Sequence, residues 1–102
     1  MNSQSIPESL RRLAPELAEI SEQLLFGNIW QRPGLSARER SLITVATLAA
    51  LGRLPQLRWH TGFAQQNGVT REELSELFTH LAFYAGWPAA VSGLDCMEGE
   101  SD

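Results

Sequence analysis

The chain has 102 residues, 43% hydrophobic and 20% charged, with a formal net charge of −4, the profile of a single small soluble domain spanning residues 1–102. All eight basic residues are arginine, which excludes lysine Schiff-base chemistry and a P-loop lysine. The one cysteine, Cys96, excludes an intramolecular disulfide framework and any CxxC redox or zinc site.

In chain order, Pro15 opens the first well-marked helix, because its missing N–H costs nothing in a first turn. Leu17, Ile20 and Leu24 follow at helical spacing, with Glu16, Glu19 and Glu22 suiting the N-terminal half. Leu10 and Leu13 extend the stripe backwards, but Ala14 precedes proline and a break is expected there. Gly27 and Pro33-Gly34 bracket a loop. Ser36 and Glu39 form the capping pattern S-x-x-E, which places a helix start at Ser36. Residues Leu42 to Leu51 are apolar on nearly every face, so this helix is expected to be central and covered on all sides, by its own chain or a partner. Gly52 is its natural stop. Pro55 permits the next helix, which runs through Leu57, His60 and Ala64 to the stop signal Asn67-Gly68. Thr70 and Glu73 make a second capping box, followed by the amphipathic stripe Leu74, Leu77, Phe78, Leu81. Gly86-Trp87-Pro88 interrupts, a last short helix is expected over Ala89 to Met97, and Glu98 to Asp102 are expected to fray. The fold class is all-α.

No run approaches the ~18–20 apolar residues of a membrane span. The first 30 residues carry four glutamates and no apolar h-region, so no secretory signal is expected and the expected setting is the reduced cytoplasm. Charge is unevenly spread, with balances of −2 over residues 1–31, +5 over 32–71 and −7 over 72–102. A basic middle suits an anionic small molecule, because guanidinium forks match carboxylates bidentately. The acidic total and the absence of any recognisable module argue against nucleic acid.

Several short strings taken in order carry a resemblance. They are Pro33-Gly34-Leu35-Ser36, Arg40-Ser41-Leu42-x-Thr44-Val45-Ala46, Leu57-x-x-His60, Gly68-Val69-Thr70-x-Glu72-Glu73-Leu74, and Phe83-Tyr84-Ala85-Gly86-Trp87-Pro88-Ala89-Ala90. Over a core of about 30–95 the chain resembles the carboxymuconolactone decarboxylase family. That resemblance implies an alkylhydroperoxidase D-like helical subunit with a helical-hairpin core, and homo-oligomers, commonly trimers or hexamers, with sites near subunit contacts. The peroxidase branch of the family uses CxxC followed three residues later by histidine, with an upstream glutamate. With His60 as that histidine, the two cysteine positions hold Arg53 and Gln56, and the glutamate falls near Ser41. A thiol relay through these positions is therefore excluded, and an antioxidant role through Cys96 between subunits is a remote alternative.

The other branch decarboxylates a carboxylated lactone, in the degradation of aromatic compounds, without metal or organic cofactor. Resemblance to it implies cofactor-free loss of carbon dioxide from γ-carboxymuconolactone or a related small carboxylated lactone. Such chemistry asks for a cation to orient carboxylates, donors for the dienolate oxygen and an acid to protonate carbon. His60 is the first candidate for the acid, because imidazole titrates near neutrality. Arg40, Arg53 and Arg58 are candidates for carboxylate binding, with His80, Tyr84 and Trp87 as pocket residues and Tyr84 and Trp87 as donors. Gln56 departs from the decarboxylase pattern, where an acidic residue commonly stands four positions before the histidine. That departure keeps a second reading open, a non-catalytic oligomeric or binding member of the family.

Overall fold

The computed structural model describes residues 6–100, with side chains as far as Glu98. Among the described residues all regular structure is helical, and the chain forms two compact units, one ending at Ser36 and one starting at Ala37. In the first unit, α1 (Glu8–Leu13) and α2 (Pro15–Ile20) are separated at Ala14, whose φ of −143° and ψ of 70° lie outside the helical region. The ring of the following proline excludes the helical conformation there. α2 runs on into a π-helical turn, Ser21–Phe26, and a 3-10 turn follows at Ile29–Gln31. Arg11 donates to Glu22 at 2.9 Å, and the rings of Phe26 and Trp30 stack at 6.2 Å.

The second unit holds α3 (Ala37–Leu51), α4 (Leu54–Gln66), α5 (Arg71–Leu81) and α6 (Trp87–Glu100). α3 begins directly after Ser36, and Gly52 ends it with a φ of 73°, a left-handed conformation that only glycine adopts without cost. α4 carries Pro55 in its first turn and stops at Asn67, where the Val69 N–H turns back to the Ala64 carbonyl at 2.9 Å. The capping box of α5 is complete. The Glu73 N–H donates to Thr70 Oγ1 at 3.0 Å and the Thr70 N–H donates to Glu73 Oε1 at 2.9 Å. That backbone bond, helped by the charge of the ion-paired Arg38 and opposed by burial, holds the Glu73 carboxyl below its ordinary value.

α6 is longer than the expected Ala89 to Met97. It starts at Trp87, because Pro88 has no N–H to lose in a first turn, and it runs on through Glu98, which lies 3.6 Å from Arg71 instead of fraying. Ser101 and Asp102 of the expected frayed tail lie outside the described residues.

Val45 and Ala49 of α3, Leu57 and Ala64 of α4, Leu74 and Phe78 of α5, and Ala90, Cys96 and Met97 of α6 build one core. α3 packs against the other three helices, but only Ser41, Val45 and Ala49 along it are fully buried. Ile43 and Leu51 are 53% and 64% exposed, so the chain itself does not cover this helix on all sides. α6 lies close to α5 at Gly93, where an added Cβ would stand 2.4 Å from the Phe78 ring. Replacing Gly93 by Ala should therefore cost about 1–3 kcal/mol through overpacking. Replacing Gly34, where an added Cβ meets nothing within 4 Å, should leave stability within about 0.5 kcal/mol. Urea unfolding of the two variants against the parent checks both values.

Candidate functional site

α4 carries the first group of candidate residues. With ~100° per residue, positions 56 and 60 fall along one side of this helix, whereas position 58 points well away from them. Arg53 stands at the N-cap, its N–H held by the Leu48 carbonyl at 2.9 Å and its own carbonyl accepting from Leu57 at 2.9 Å. Its backbone is thus fixed at the entrance to the helix. Arg53 and Gln56 are exposed, and His60 is half-buried. The grouping of Arg58 with His60 that their closeness in sequence suggests is not what the helix makes. Arg58 is exposed on another side of α4, and its charge is felt by the Cys96 thiol.

The imidazole of His60 sits against an aromatic wall. Trp59 meets it edge-on at 4.8 Å, Phe63 meets it at 6.0 Å, and Trp59 and Phe63 stack on each other at 4.8 Å. The Nδ1 atom is shut off from solvent. Removing water from an imidazole disfavours its cation, and burial lowers the His60 pKa from 6.5 to about 4. Near-neutral titration, the ground for choosing His60 as an acid, does not hold in the folded chain. At neutral pH this ring is an uncharged hydrogen-bonding group.

Arg40 lies in the first half of α3, half-buried, with its Nε closed off from solvent. Arg38, two residues earlier, lies about 160° away around the same helix and is ion-paired to Glu73. Ser41 is fully buried, and its hydroxyl accepts from Asn67 Nδ2 at 2.9 Å. It therefore ties α3 to the end of α4.

The second group gathers elsewhere. His80 near the end of α5 stacks on Tyr84 at 5.1 Å, and it borders a groove of about 410 Å³ between α3 and α5. Tyr84 and Trp87 are 80% and 70% exposed, so neither donor is enclosed by the chain. The pairing of His80 with Tyr84 follows from i, i+4 spacing. What the sequence missed is Arg38, which lines that groove, and the aromatic wall of Trp59 and Phe63. The i, i+4 spacing of 59 and 63 was the available signal for the wall.

Cys96 is buried in the core, and burial pushes its thiol up, more strongly than the nearby Arg58 charge pulls it down. A basic residue is thus close in space where none is close in sequence, yet the thiolate is still disfavoured. No helix among the described residues is long and apolar enough to cross a membrane.

The chain is 40% identical over 91 residues to a 4-carboxymuconolactone decarboxylase of Acinetobacter baylyi, covering 89% of this chain and 68% of that protein. It is 32% identical over 97 residues to the nitrosuccinic acid decarboxylase npaB of Metarhizium robertsii, covering 92% and 68%. An uncharacterized 15.0 kDa protein of Paracoccus denitrificans is 29% identical over 89 residues, covering 85% and 66%. The family model for the carboxymuconolactone decarboxylase family matches residues 15–99. With that match over most of its length, this helical chain belongs to the carboxymuconolactone decarboxylase family.

Proposed function

We propose that the chain is a cofactor-free decarboxylase of a small carboxylated substrate, with γ-carboxymuconolactone or a related carboxylated lactone as the leading class. The observation that carries this reading is a neutral, half-buried imidazole in α4, with an exposed arginine at the N-cap of the same helix. The names of two relatives support it, since both are decarboxylases.

In the proposed reaction the C–C bond to one carboxylate breaks and carbon dioxide leaves. The electron pair passes to the conjugated carbonyl oxygen of the lactone, and a proton added at carbon completes the exchange. Arg53 holds a carboxylate that stays on the substrate, and Arg40 is the second candidate for that task. His60, being neutral, donates an N–H to the oxygen that gains charge, a stabilisation that costs no prior ionisation. This replaces the role of proton-delivering acid first considered for it. Tyr84 and His80 are the remaining candidates for the proton donor, and Trp87 for a wall of the site. A neutral donor in a water-poor setting is worth more than the same group in water, because the effective dielectric is lower.

Three expectations follow from this reading. Turnover of γ-carboxymuconolactone, assayed beside 2-nitrosuccinate, should be measurable for the parent chain without added metal or cofactor; turnover of neither would overturn the proposal. His60→Ala should lower kcat by ~100-fold or more, as loss of one oxyanion donor does. Arg53→Ala should instead raise KM with kcat nearly unchanged, the mark of a group that only holds substrate.

The depressed pKa also has a stability consequence of definite sign. Between pH 6.5 and about 4 the unfolded chain takes up a proton at this position that native His60 refuses. Its contribution is therefore fully favourable above 6.5 and is lost as pH falls toward 4. Melting temperatures of the parent minus those of His60→Asn should decline across that window and be flat above it. An imidazole that titrates by NMR near 6.5 in the folded chain would overturn this.

A further inference from the structure

Two aromatic side chains of α4, Trp59 and Phe63, take no part in the proposed chemistry, yet both stand against the imidazole of His60. Phe63 lies three residues beyond His60 and four beyond Trp59, and helical side chains lean toward the N-terminus, so one ring can meet both. Phe63 is only 6% exposed, and the Trp59 ring stacks on it at 4.8 Å with 29° between their planes. Trp59 in turn meets the His60 ring at 4.8 Å and 87°, while Phe63 stands 6.0 Å from that ring. Trp59 is thus the member in closest contact with both others. Phe63, sealed in the interior, anchors the cluster, and Trp59, 37% exposed, is its outer layer.

This layering bears on two properties of the imidazole. A histidine ring turns about a broad χ2 torsion, so its neighbours and not its own rotamer fix its attitude. Its hydration is also set by what surrounds it. His60 is half-buried with Nδ1 shut off from solvent, and an indole edge-on to the ring fills volume that water would enter beside a small side chain.

We propose that Trp59, held in place by Phe63, is a positioning residue for His60: its indole keeps water off the imidazole and fixes the attitude of the ring, so that His60 serves as an uncharged, oriented donor. What that donor is used for rests on the decarboxylase reading; the packing does not. Charge is the competing influence. α3 and α6 pack on α4, and they carry Arg38, Glu39 and Arg40, and Asp95, Cys96, Glu98 and Glu100, beside Arg53 and Arg58 of α4 itself. Arg38 is engaged by Glu73, Glu98 lies near Arg71, and Arg58 and Asp95 act on Cys96. All of these stay in place when Trp59 is replaced, so a change in His60 then reads the aromatic wall.

The test is an NMR titration of the histidine rings in the substrate-free full chain, with the His60 signal identified by its loss in His60→Asn. In the parent its midpoint should lie at about 4. Trp59→Ala should raise it by about one pH unit or more, toward the ordinary value, whereas Trp59→Phe, which restores a stacked ring, should keep it within about half a unit of the parent. Gly93→Ala, which strains the α5–α6 contact instead, should leave the midpoint in place and so separates general loosening from loss of the wall. A midpoint unmoved in Trp59→Ala overturns the proposal, as does one that moves as far in Trp59→Phe or in Gly93→Ala. A midpoint that falls overturns it too, since the indole would then have been attracting the imidazolium. Circular dichroism checks folding, and Trp59→Gln replaces Trp59→Ala if that variant unfolds. In turnover, kcat/KM of Trp59→Ala should gain an inflection at its NMR midpoint that the parent lacks between about pH 5 and 8. A profile without that inflection overturns the positioning role. The titration needs no turnover, so a parent that turns over no substrate fails the decarboxylase reading and leaves the midpoints to decide this one.

Discussion

The second unit is organised around α3, the helix that touches α4, α5 and α6. Its inward row of Ser41, Val45 and Ala49 is made of small side chains, which lets three helices approach one axis. The one polar member of that row is satisfied by Asn67, so the end of α4 is fixed to the start of α3. The close contact of Gly93 with the Phe78 ring then locks α6 against α5. These constraints hold α4 against a packed core, and α4 carries both the anchored Arg53 and the half-buried His60.

Much of this was legible in the sequence because the signals are local. The break at Ala14, the stop at Gly52, the end of α4 at Asn67 and the capping box at Thr70 and Glu73 each depend on one or two residues and their immediate backbone. The start of α6 is less legible, because Gly86-Trp87-Pro88 looks like an interruption throughout. Of the three only Gly86, with a φ of 105°, lies outside a helix, whereas Trp87 opens α6 and Pro88 fits its first turn. The candidate site was legible in part. The sequence offers candidate residue types, but not how they group. Closeness in sequence put Arg58 with His60, while helical rotation separates them and brings Arg58 near Cys96, 38 positions away. The protonation state of His60 was not legible at all. It depends on how much water the fold removes from the ring, a property of packing that spacing does not encode.

The departure at Gln56 has a different meaning once His60 is seen to be neutral. A carboxylate four residues before the histidine would favour its cation, raising its pKa against the effect of burial. Glutamine at that position leaves burial unopposed by a charge, so the imidazole stays uncharged across the neutral range. A proton-delivering histidine would be weakened by this change. A hydrogen-bond donor is not, because its N–H is present in the neutral form and needs no ionisation. The feature that keeps a non-catalytic reading open is therefore compatible with a site in which the cation comes from arginine and the imidazole stays neutral.

In the proposed site, arginine and imidazole divide two jobs. A guanidinium remains charged whatever its surroundings, so Arg53 can hold an anion where a histidine would lose its proton. Placing the fixed charge on an exposed, backbone-anchored residue avoids the desolvation cost that a buried cation would carry. Placing the uncharged donor where water is scarce increases what its hydrogen bond is worth to a developing oxyanion. A chain without lysine, and with its cysteine sealed in the core, has few other ways to stabilise that charge. The division between an exposed permanent cation and a half-buried neutral donor is thus the arrangement that these residue types can provide at least cost to the fold.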